Sequence, residues 1–113
     1  MIESYAFGSM VVDGRKITSD LIIYPDGRIE VSWWRKAGHR LASDDIGELI
    51  RSGPDVIIAG TGSSGLMKPE KELEEVLQQK GIEFISVLTR KAVKIYNDLS
   101  SEKNVGACFH LTC

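Results

Sequence analysis

One apolar run in the second half of the chain restricts the possible folds more than any other feature. Val56-Ile57-Ile58-Ala59 lacks the alternation of polar and apolar residues that a half-exposed strand shows. An unbroken run of this length is typical of a strand that is covered on both faces of a sheet. Because helices usually provide that cover, we expect an α/β fold.

Helical and extended patterns alternate on both sides of this run. A helix capped by Ser43 and stopped by Gly53 precedes it. The elements that follow are a helix with Pro69 in its first turn and Gly81 at its end, a strand at residues 83–87, a helix capped by Thr89 and a strand at residues 105–111. This order is β-α-β-α-β, and its short connections favour parallel strands joined by right-handed crossovers.

The first third of the chain has the pattern of three antiparallel strands. We predict strands at residues 5–12, 17–24 and 28–34, with tight turns at Asp13-Gly14 and Pro25-Asp26-Gly27. The 113 residues are 42% hydrophobic, which is enough for the core of one domain. We therefore expect a single α/β domain, residues 1–113, in which an N-terminal β-meander precedes the β-α-β-α-β unit in a mixed sheet.

The charge balance excludes several classes of partner. A net charge of −2 and a pI of about 5.7 predict no binding to nucleic acid.

The sequence also indicates the compartment of the protein. No stretch approaches the roughly 18 apolar residues of a membrane span, and the N-terminus does not resemble a secretory signal. The two cysteines form no disulfide framework, which is typical of a reducing compartment. We expect a cytoplasmic protein that does not bind membranes.

A glycine-rich segment directly after the apolar run is the main candidate for a binding site. It matches the Gly-x-Gly-x-x-Gly pattern and consists of Gly60, Thr61, Gly62, Ser63, Ser64 and Gly65. Glycines allow backbone N–H groups to approach an anion, and the three hydroxyls add donors. A dinucleotide is not expected, because the next helix starts only after Lys68 and the following strand ends without an acidic residue to bind a ribose. We predict no cofactor.

The position of this glycine loop suggests a site for a small molecule or a small anion. If the last strand pairs with residues 56–59 on the side opposite residues 83–87, the loop lies at a topological switch point, where ligands of open α/β sheets bind. Thr89 starts the last helix at the same end of the sheet, and Asn97 lies two turns further along it, so both are candidate ligand-binding residues. The alternative is a tight strand-to-helix turn in which the glycines serve geometry alone.

Cys108, His110 and Cys113 lie close together in the sequence. Their spacing resembles a fragment of a zinc site, but a fourth ligand would have to be His39 or a carboxylate. Alternatively, Cys108 is a small core residue and His110 is hydrogen-bonded at the end of the sheet. A Cys113 nucleophile activated by either histidine has no further support in the sequence. We assign no metal ligand and no catalytic residue.

The consecutive tryptophans Trp33 and Trp34 must point in different directions if they lie on a strand. Trp33 shares a face with Ile29 and is the predicted core residue. Trp34 and Arg35 are candidate interface residues, since Trp and Arg are enriched at binding hot spots. Packing of Trp34 beneath the loop that follows is the alternative.

An ordered set of short segments across nearly the whole chain resembles one family. The segments are Phe7-Gly8-Ser9-Met10, Tyr24-Pro25-Asp26-Gly27, Trp34 with His39, Gly60-Thr61-Gly62, Thr89 with Ala92, Tyr96-Asn97 with Leu99, and Val105-Gly106-Ala107-Cys108-Phe109-His110-Leu111-Thr112-Cys113. The chain resembles the small single-domain proteins that include an adipogenesis-associated protein and a mitochondrial respiratory complex I assembly factor. This resemblance implies a three-layer α/β fold and a role in assembly or regulation, with no catalytic residues to transfer.

Two functional hypotheses follow. The first is a non-catalytic cytosolic domain that binds a protein partner or self-associates as a dimer through its β-meander. The second is a small-molecule or anion-binding protein, with or without enzyme activity, that uses the glycine loop. A polar concavity at that end of the sheet favours the second hypothesis, and a filled surface favours the first.

Overall fold

The computed structural model describes residues 1–113, which form ten strands and three α-helices. The strands are β1 (Ile2–Ala6), β2 (Ser9–Val12), β3 (Arg15–Ile17), β4 (Leu21–Ile23), β5 (Ile29–Glu30), β6 (Arg40–Leu41), β7 (Val56–Gly60), β8 (Lys68–Pro69), β9 (Glu83–Val87) and β10 (Val105–Phe109). The helices are α1 (Gly47–Arg51), α2 (Lys71–Gln79) and α3 (Thr89–Leu99). A 3-10 turn, Ser43–Ile46, leads into α1.

The central sheet has the strand order β5-β4-β10-β7-β9. Strands β10 and β9 are both parallel to β7, whereas β4 and β5 are antiparallel to their neighbours, so the sheet is mixed as expected. Strand β10 pairs with β7 on the side opposite β9. The carboxyl end of β7 is therefore a topological switch point, which confirms the predicted position of the glycine loop.

Both faces of the central sheet are covered, and this explains the apolar run in β7. Helix α3 and the antiparallel sheet β1-β2-β3 cover one face, where 14 buried residues form one core cluster. Helices α1 and α2 cover the other face with a second cluster of 14 buried residues. The result is a three-layer α/β domain, which confirms the predicted fold class.

The N-terminal strands are shorter than predicted, because the chain turns at positions that the alternation pattern does not show. The strand predicted at residues 5–12 is two strands, since Gly8 has a φ of +84° and reverses the chain direction. The strand predicted at 17–24 is divided at residues 18–20, where the chain passes into the central sheet. Ser32, with a φ of +53°, interrupts the strand predicted at 28–34.

The predicted helix starts also need correction. Ser43 does not cap α1 but lies in the 3-10 turn, where the Asp45 carboxylate accepts a hydrogen bond from the Ala42 N–H at 2.9 Å. Pro69 lies outside α2, because Lys68–Pro69 pairs with Arg40–Leu41 as a strand. In α3, Thr89 is the first helical residue and its hydroxyl does not cap the helix.

Candidate functional site

The backbone N–H groups of the glycine loop, residues 60–65, donate mainly to other segments of the protein. The N–H of Gly62 donates to Thr89 Oγ1 at 2.8 Å, and the N–H of Ser63 donates to the Thr112 carbonyl at 2.6 Å. Leu66, directly after the loop, donates to the Cys113 carbonyl at 3.0 Å. Residues 110–113 therefore occupy most of the space in which an anion would meet the loop.

Gly62 and Gly60 are required by the close approach of neighbouring residues. Gly62 has a φ of +107°, and a Cβ there would lie 2.5 Å from the Cys113 carbonyl carbon and 2.8 Å from His110 Cδ2. A Cβ on Gly60 would lie 2.8 Å from the Phe109 ring and 2.9 Å from Thr89 Oγ1. Real Cβ atoms do not approach so closely, so both glycines serve the packing of β10 and the residues after it.

Thr89 links the loop to the end of β10. Its side chain is fully buried, and its hydroxyl accepts from the Gly62 N–H and donates to the His110 carbonyl at 2.7 Å. This hydroxyl therefore acts as both donor and acceptor within the protein. Thr89 is therefore close to the loop, as predicted, but it serves as a structural bridge.

Asn97 does not reach the glycine loop. It lies eight residues further along α3, which is about 12 Å along a helix. Its side-chain amide donates to the Ile2 carbonyl at 2.8 Å, and its side-chain oxygen accepts from the Ile2 N–H at 2.9 Å. Asn97 thus joins β1 to α3.

Two donors of the loop have no partner in the protein. The N–H groups of Ser64 and Gly65 make no hydrogen bond, and the Ser63 and Ser64 side chains are exposed. A surface cavity of about 630 Å³ lies elsewhere, between residues 36–45 and Glu70–Glu72. The loop itself forms a largely filled surface with two free amides.

The buried side chains of Arg35 and His110 and the half-buried Asp20 form a polar network at the carboxyl end of β10. The Asp20 carboxylate contacts Arg35 Nη1 at 2.9 Å and His110 Nδ1 at 2.7 Å, and it accepts from the Leu111 N–H at 2.8 Å. Arg35 also donates through Nε and Nη2 to the Gly38 carbonyl, at 3.0 and 2.8 Å. This network fixes three segments that are far apart in the sequence.

The hydrogen bonds of this network determine where its protons lie. Burial acts to raise the pKa of Asp20, but the hydrogen bonds from His110, the Leu111 N–H and Arg35 outweigh it, and the pKa is lowered. Because a carboxylate only accepts, His110 Nδ1 carries the proton that it donates to Asp20. His110 Nε2 is buried and has no hydrogen-bond partner in the protein. The His39 ring is its edge-to-face neighbour, with the ring centroids 6.0 Å apart.

The two predicted interface residues have opposite environments. The Trp34 side chain is 76% exposed, so it is available to a partner. Arg35 is buried in the polar network and lies over the Trp33 ring at 4.7 Å, so its prediction as an interface residue needs correction. Trp33 is a core residue, as predicted, and its Nε1 donates to the Asp45 carbonyl at 2.9 Å.

Four of the large exposed apolar side chains lie at one end of the sheet. They are Phe7, Trp34, Leu66 and Leu88. Two of their loops contact residues 110–113 directly, since the Gly8 N–H donates to the Leu111 carbonyl and the Leu66 N–H donates to the Cys113 carbonyl. The Leu88 side chain packs on Gly65 of the glycine loop. Trp34 adjoins Arg35, which contacts His110. We call this surface, formed by residues 7–8, 18–20, 33–39, 61–68, 88–91 and 110–113, the carboxyl-end face.

The cysteines and histidines do not assemble a metal site. No group of three His, Cys, Asp or Glu side chains is placed to hold a metal ion. Cys108 is a core residue, as one reading of the sequence predicted, and burial raises the pKa of its thiol to about 12. Cys113 is exposed and both thiols are free.

None of the three helices has the length and apolar character that a membrane span needs.

Sequence reasoning missed Asp20 and the role of Arg35. Asp20 is separated from His110 by 90 positions, and no local pattern joins the two residues. The available signal was an isolated acidic residue directly before the apolar strand β4. That signal identifies a strand end and does not identify its partners.

Comparisons with known proteins agree with the fold. The model of a family described as proteins of unknown function (DUF498/DUF598) matches residues 2–110. The chain is 28% identical to a conserved hypothetical protein from Pyrococcus horikoshii, with a TM-score of 0.87 over 100% of this chain and 99% of that one. It is 30% identical to the protein MT938, with a TM-score of 0.80 over 100% and 98% of the two chains.

A more distant structure shows the same fold. A Mth938-like domain from Bordetella pertussis is 16% identical, with a TM-score of 0.69 over 98% of this chain and 85% of that one. The family match covers nearly every residue from β1 to the end of β10. The chain therefore belongs to the DUF498/DUF598 family of proteins of unknown function.

Proposed function

We propose that this chain is a non-catalytic protein-interaction domain of the cytosol, and that it binds its partner through the carboxyl-end face. The observation that carries this proposal is the gathering of Phe7, Trp34, Leu66 and Leu88 at one end of the sheet. Exposed tryptophan and phenylalanine side chains supply large contact areas with little loss of side-chain entropy. Exposed apolar residues scattered singly need no explanation, whereas a grouping marks a contact surface.

Three further features support this proposal. The loop is largely filled by residues 110–113, which favours contact with a protein surface over a deep ligand pocket. The sequence also resembles the family that includes an adipogenesis-associated protein and a respiratory complex I assembly factor, and that resemblance suggests an assembly role. Two free thiols, at Cys108 and Cys113, are in keeping with the cytosol.

The experiment compares two double variants of the full chain. Trp34→Ser with Leu66→Ser changes the proposed face, and Glu102→Ser with Lys103→Ser changes the opposite end of the sheet. Each protein is used for affinity capture from its own cells with quantitative mass spectrometry, and its self-association is measured by sedimentation velocity. We expect a defined partner, or a dimer, that the control keeps and the face variant loses by about tenfold or more.

Thermal unfolding of both variants shows whether they are folded. Since Trp34 and Leu66 are exposed, their replacement should leave the melting temperature nearly unchanged. Equal capture by the face variant and the wild type contradicts the proposal. Monomeric wild-type protein without any captured partner contradicts it as well.

Binding of a small ligand is a second candidate function, and one observation favours it. His110 Nε2 is buried without a partner beside the glycine loop, and two N–H groups of that loop, those of Ser64 and Gly65, are free donors. Titration of labelled protein with phosphate, carboxylates and nucleotides tests this function by NMR. We expect shifts at the amides of Ser64 and Gly65, and unchanged resonances throughout residues 60–65 eliminate this candidate.

A further inference from the structure

The charges of the chain are unequally distributed between the carboxyl-end face and the rest of the surface. The face contains five Lys and Arg residues and one acidic residue, Asp20, whereas the remaining sequence contains nine Lys and Arg against fifteen Asp and Glu. Asp20 is not available to a partner, because Arg35 and His110 already engage its carboxylate. The face is therefore basic on a protein whose net charge is negative.

The four other cations of the face have no intramolecular partner. Lys36, Lys68, Arg90 and Lys91 are exposed and take part in no salt bridge. Lys36 lies at the rim, next to the cavity that Asp44 and Asp45 line, and the other three lie closer to the apolar residues in the chain. Lys68, Arg90 and Lys91 are therefore the cations that remain unneutralised for a partner with negative charge.

The position of Arg90 and Lys91 adds to the positive potential. Both lie in the first turn of α3, which contains no acidic residue. The amino end of a helix already carries partial positive charge, so cations are unfavourable there. A bound anion relieves this repulsion.

We propose that the carboxyl-end face binds an acidic amphipathic segment of a protein partner. This inference rests on the proposed function and adds the chemistry of the partner. Carboxylates of the segment lie against Lys68, Arg90 and Lys91, and its apolar side chains lie against the four exposed apolar residues of the face. Opposite charge directs the encounter and sets specificity, while the apolar contacts supply most of the affinity.

The composition of the face favours a protein segment over other polyanions. Phe7 and Trp34 can stack on nucleic-acid bases, but Leu66 and Leu88 are aliphatic and cannot, so only half of the exposed apolar residues suit a single strand. Recognition of anionic lipid typically uses about four to eight basic residues in one cluster. Here the cations lie in three separate segments, one of which is the first turn of α3.

The experiment uses isotope-labelled full-length protein and three synthetic peptides of about 16 residues with leucines at helical spacing. Glutamate fills the other positions in the first peptide, glutamine in the second and lysine in the third. We expect the glutamate peptide to shift amides of residues 61–68, 88–91 and 110–113, and to bind about tenfold more tightly than the glutamine peptide. The lysine peptide should not bind.

A charge variant and a matched control locate the effect. Arg90→Ser with Lys91→Ser should weaken binding of the glutamate peptide by about tenfold, and Lys80→Ser with Lys103→Ser, which removes the same charge elsewhere, should not. Equal binding of the glutamate and glutamine peptides, or no binding of either, overturns the inference. Stronger binding to phosphatidylserine vesicles or to a single-stranded oligonucleotide also overturns it.

These outcomes are independent of the test of the proposed function. If the Trp34 and Leu66 variant loses a captured partner while the peptides show no preference for glutamate, the domain is an interaction domain and its partner is not acidic. If the variant loses nothing, the proposed function itself is wrong.

Discussion

At the residue scale, Gly62 shows what the glycine loop is for. Its positive φ and its contact with the Cys113 backbone leave no room for a side chain. The sequence pattern indicated the loop, because a strand followed by closely spaced glycines is a local signal. Its place at the switch point depended on the pairing of β10 opposite β9. The pattern could not indicate that residues 110–113 of the same chain would take the place of an anion, since that contact is formed only on folding.

The substitution Gly62→Ala should destabilise the protein by about 2–5 kcal/mol, because it adds overpacking to the strain of a positive φ. Gly14→Ala is the matched control, since Gly14 has a φ of +80° and nothing within 4 Å of an added Cβ. That control should cost only about 1–2 kcal/mol. Denaturant unfolding measures both values, and equal losses would show that Cys113 does not press on Gly62.

The buried network predicts a dependence of stability on acid. Because the pKa of Asp20 is lowered below its ordinary value of 3.8 in the folded protein, the ionised carboxylate stabilises the fold at higher pH. This contribution is complete above the unfolded value and is lost as the pH falls through the lower folded value. Unfolding free energies measured from pH 6 to about pH 2.5 should therefore decrease below roughly pH 4.

The variant Asp20→Asn should lose that part of the acid dependence and should be less stable at neutral pH by about 3–5 kcal/mol, because Arg35 is left buried without its counter-charge. Asp98→Asn, at an exposed position on α3 that takes part in no salt bridge or side-chain hydrogen bond, is the control. An unchanged pH profile in Asp20→Asn would show that another carboxylate controls the acid dependence.

At the scale of elements, α3 holds the small N-terminal sheet on the central sheet. Asn97 exchanges two hydrogen bonds with the backbone of Ile2, a buried residue of β1. The helix itself was predictable from the spacing of its apolar residues. Its attachment to β1 was not, since the two partners are 95 positions apart and an asparagine on a helix gives no indication of its partner.

Replacement of Asn97 by alanine should cost about 1–3 kcal/mol, because it leaves the buried N–H and carbonyl of Ile2 without partners. Hydrogen exchange should accelerate at residues 2–6 more than in β7 or β10, since the loss is local to β1. Asp98→Ala, at the next position of the same helix, should leave exchange in β1 unchanged. Uniform acceleration in all strands would contradict a local role.

On the scale of the whole molecule, the carboxyl-end face differs from the rest of the chain in charge and in its exposed apolar side chains. The molecule measures 34 × 31 × 20 Å, and the Debye length at 0.1 M salt is about 10 Å. A charged surface therefore interacts mainly with the charges on the nearest face of the protein, and the net charge of the whole chain has little effect. The protein should consequently meet anionic surfaces with its carboxyl-end face.

Retention on a sulfonate resin at neutral pH and about 0.1 M salt measures this orientation. Lys68→Ser, Arg90→Ser and Lys91→Ser together should reduce retention strongly. The triple control Lys71→Ser, Lys80→Ser and Lys103→Ser changes the net charge equally and should have a smaller effect. Identical behaviour of the two variants would mean that net charge alone governs retention.

The sequence by itself determined the turns at Gly14 and Gly27, the covered strand β7 and the β-α-β-α-β order of the second half of the chain. These features depend on local periodicity and on residues that only certain turns accept. Tertiary structure alone decided how the groups of the carboxyl-end face are used. Asp20, Arg35 and His110 meet only after β10 is inserted between β4 and β7, and the same insertion brings the exposed apolar and basic loops together at one end.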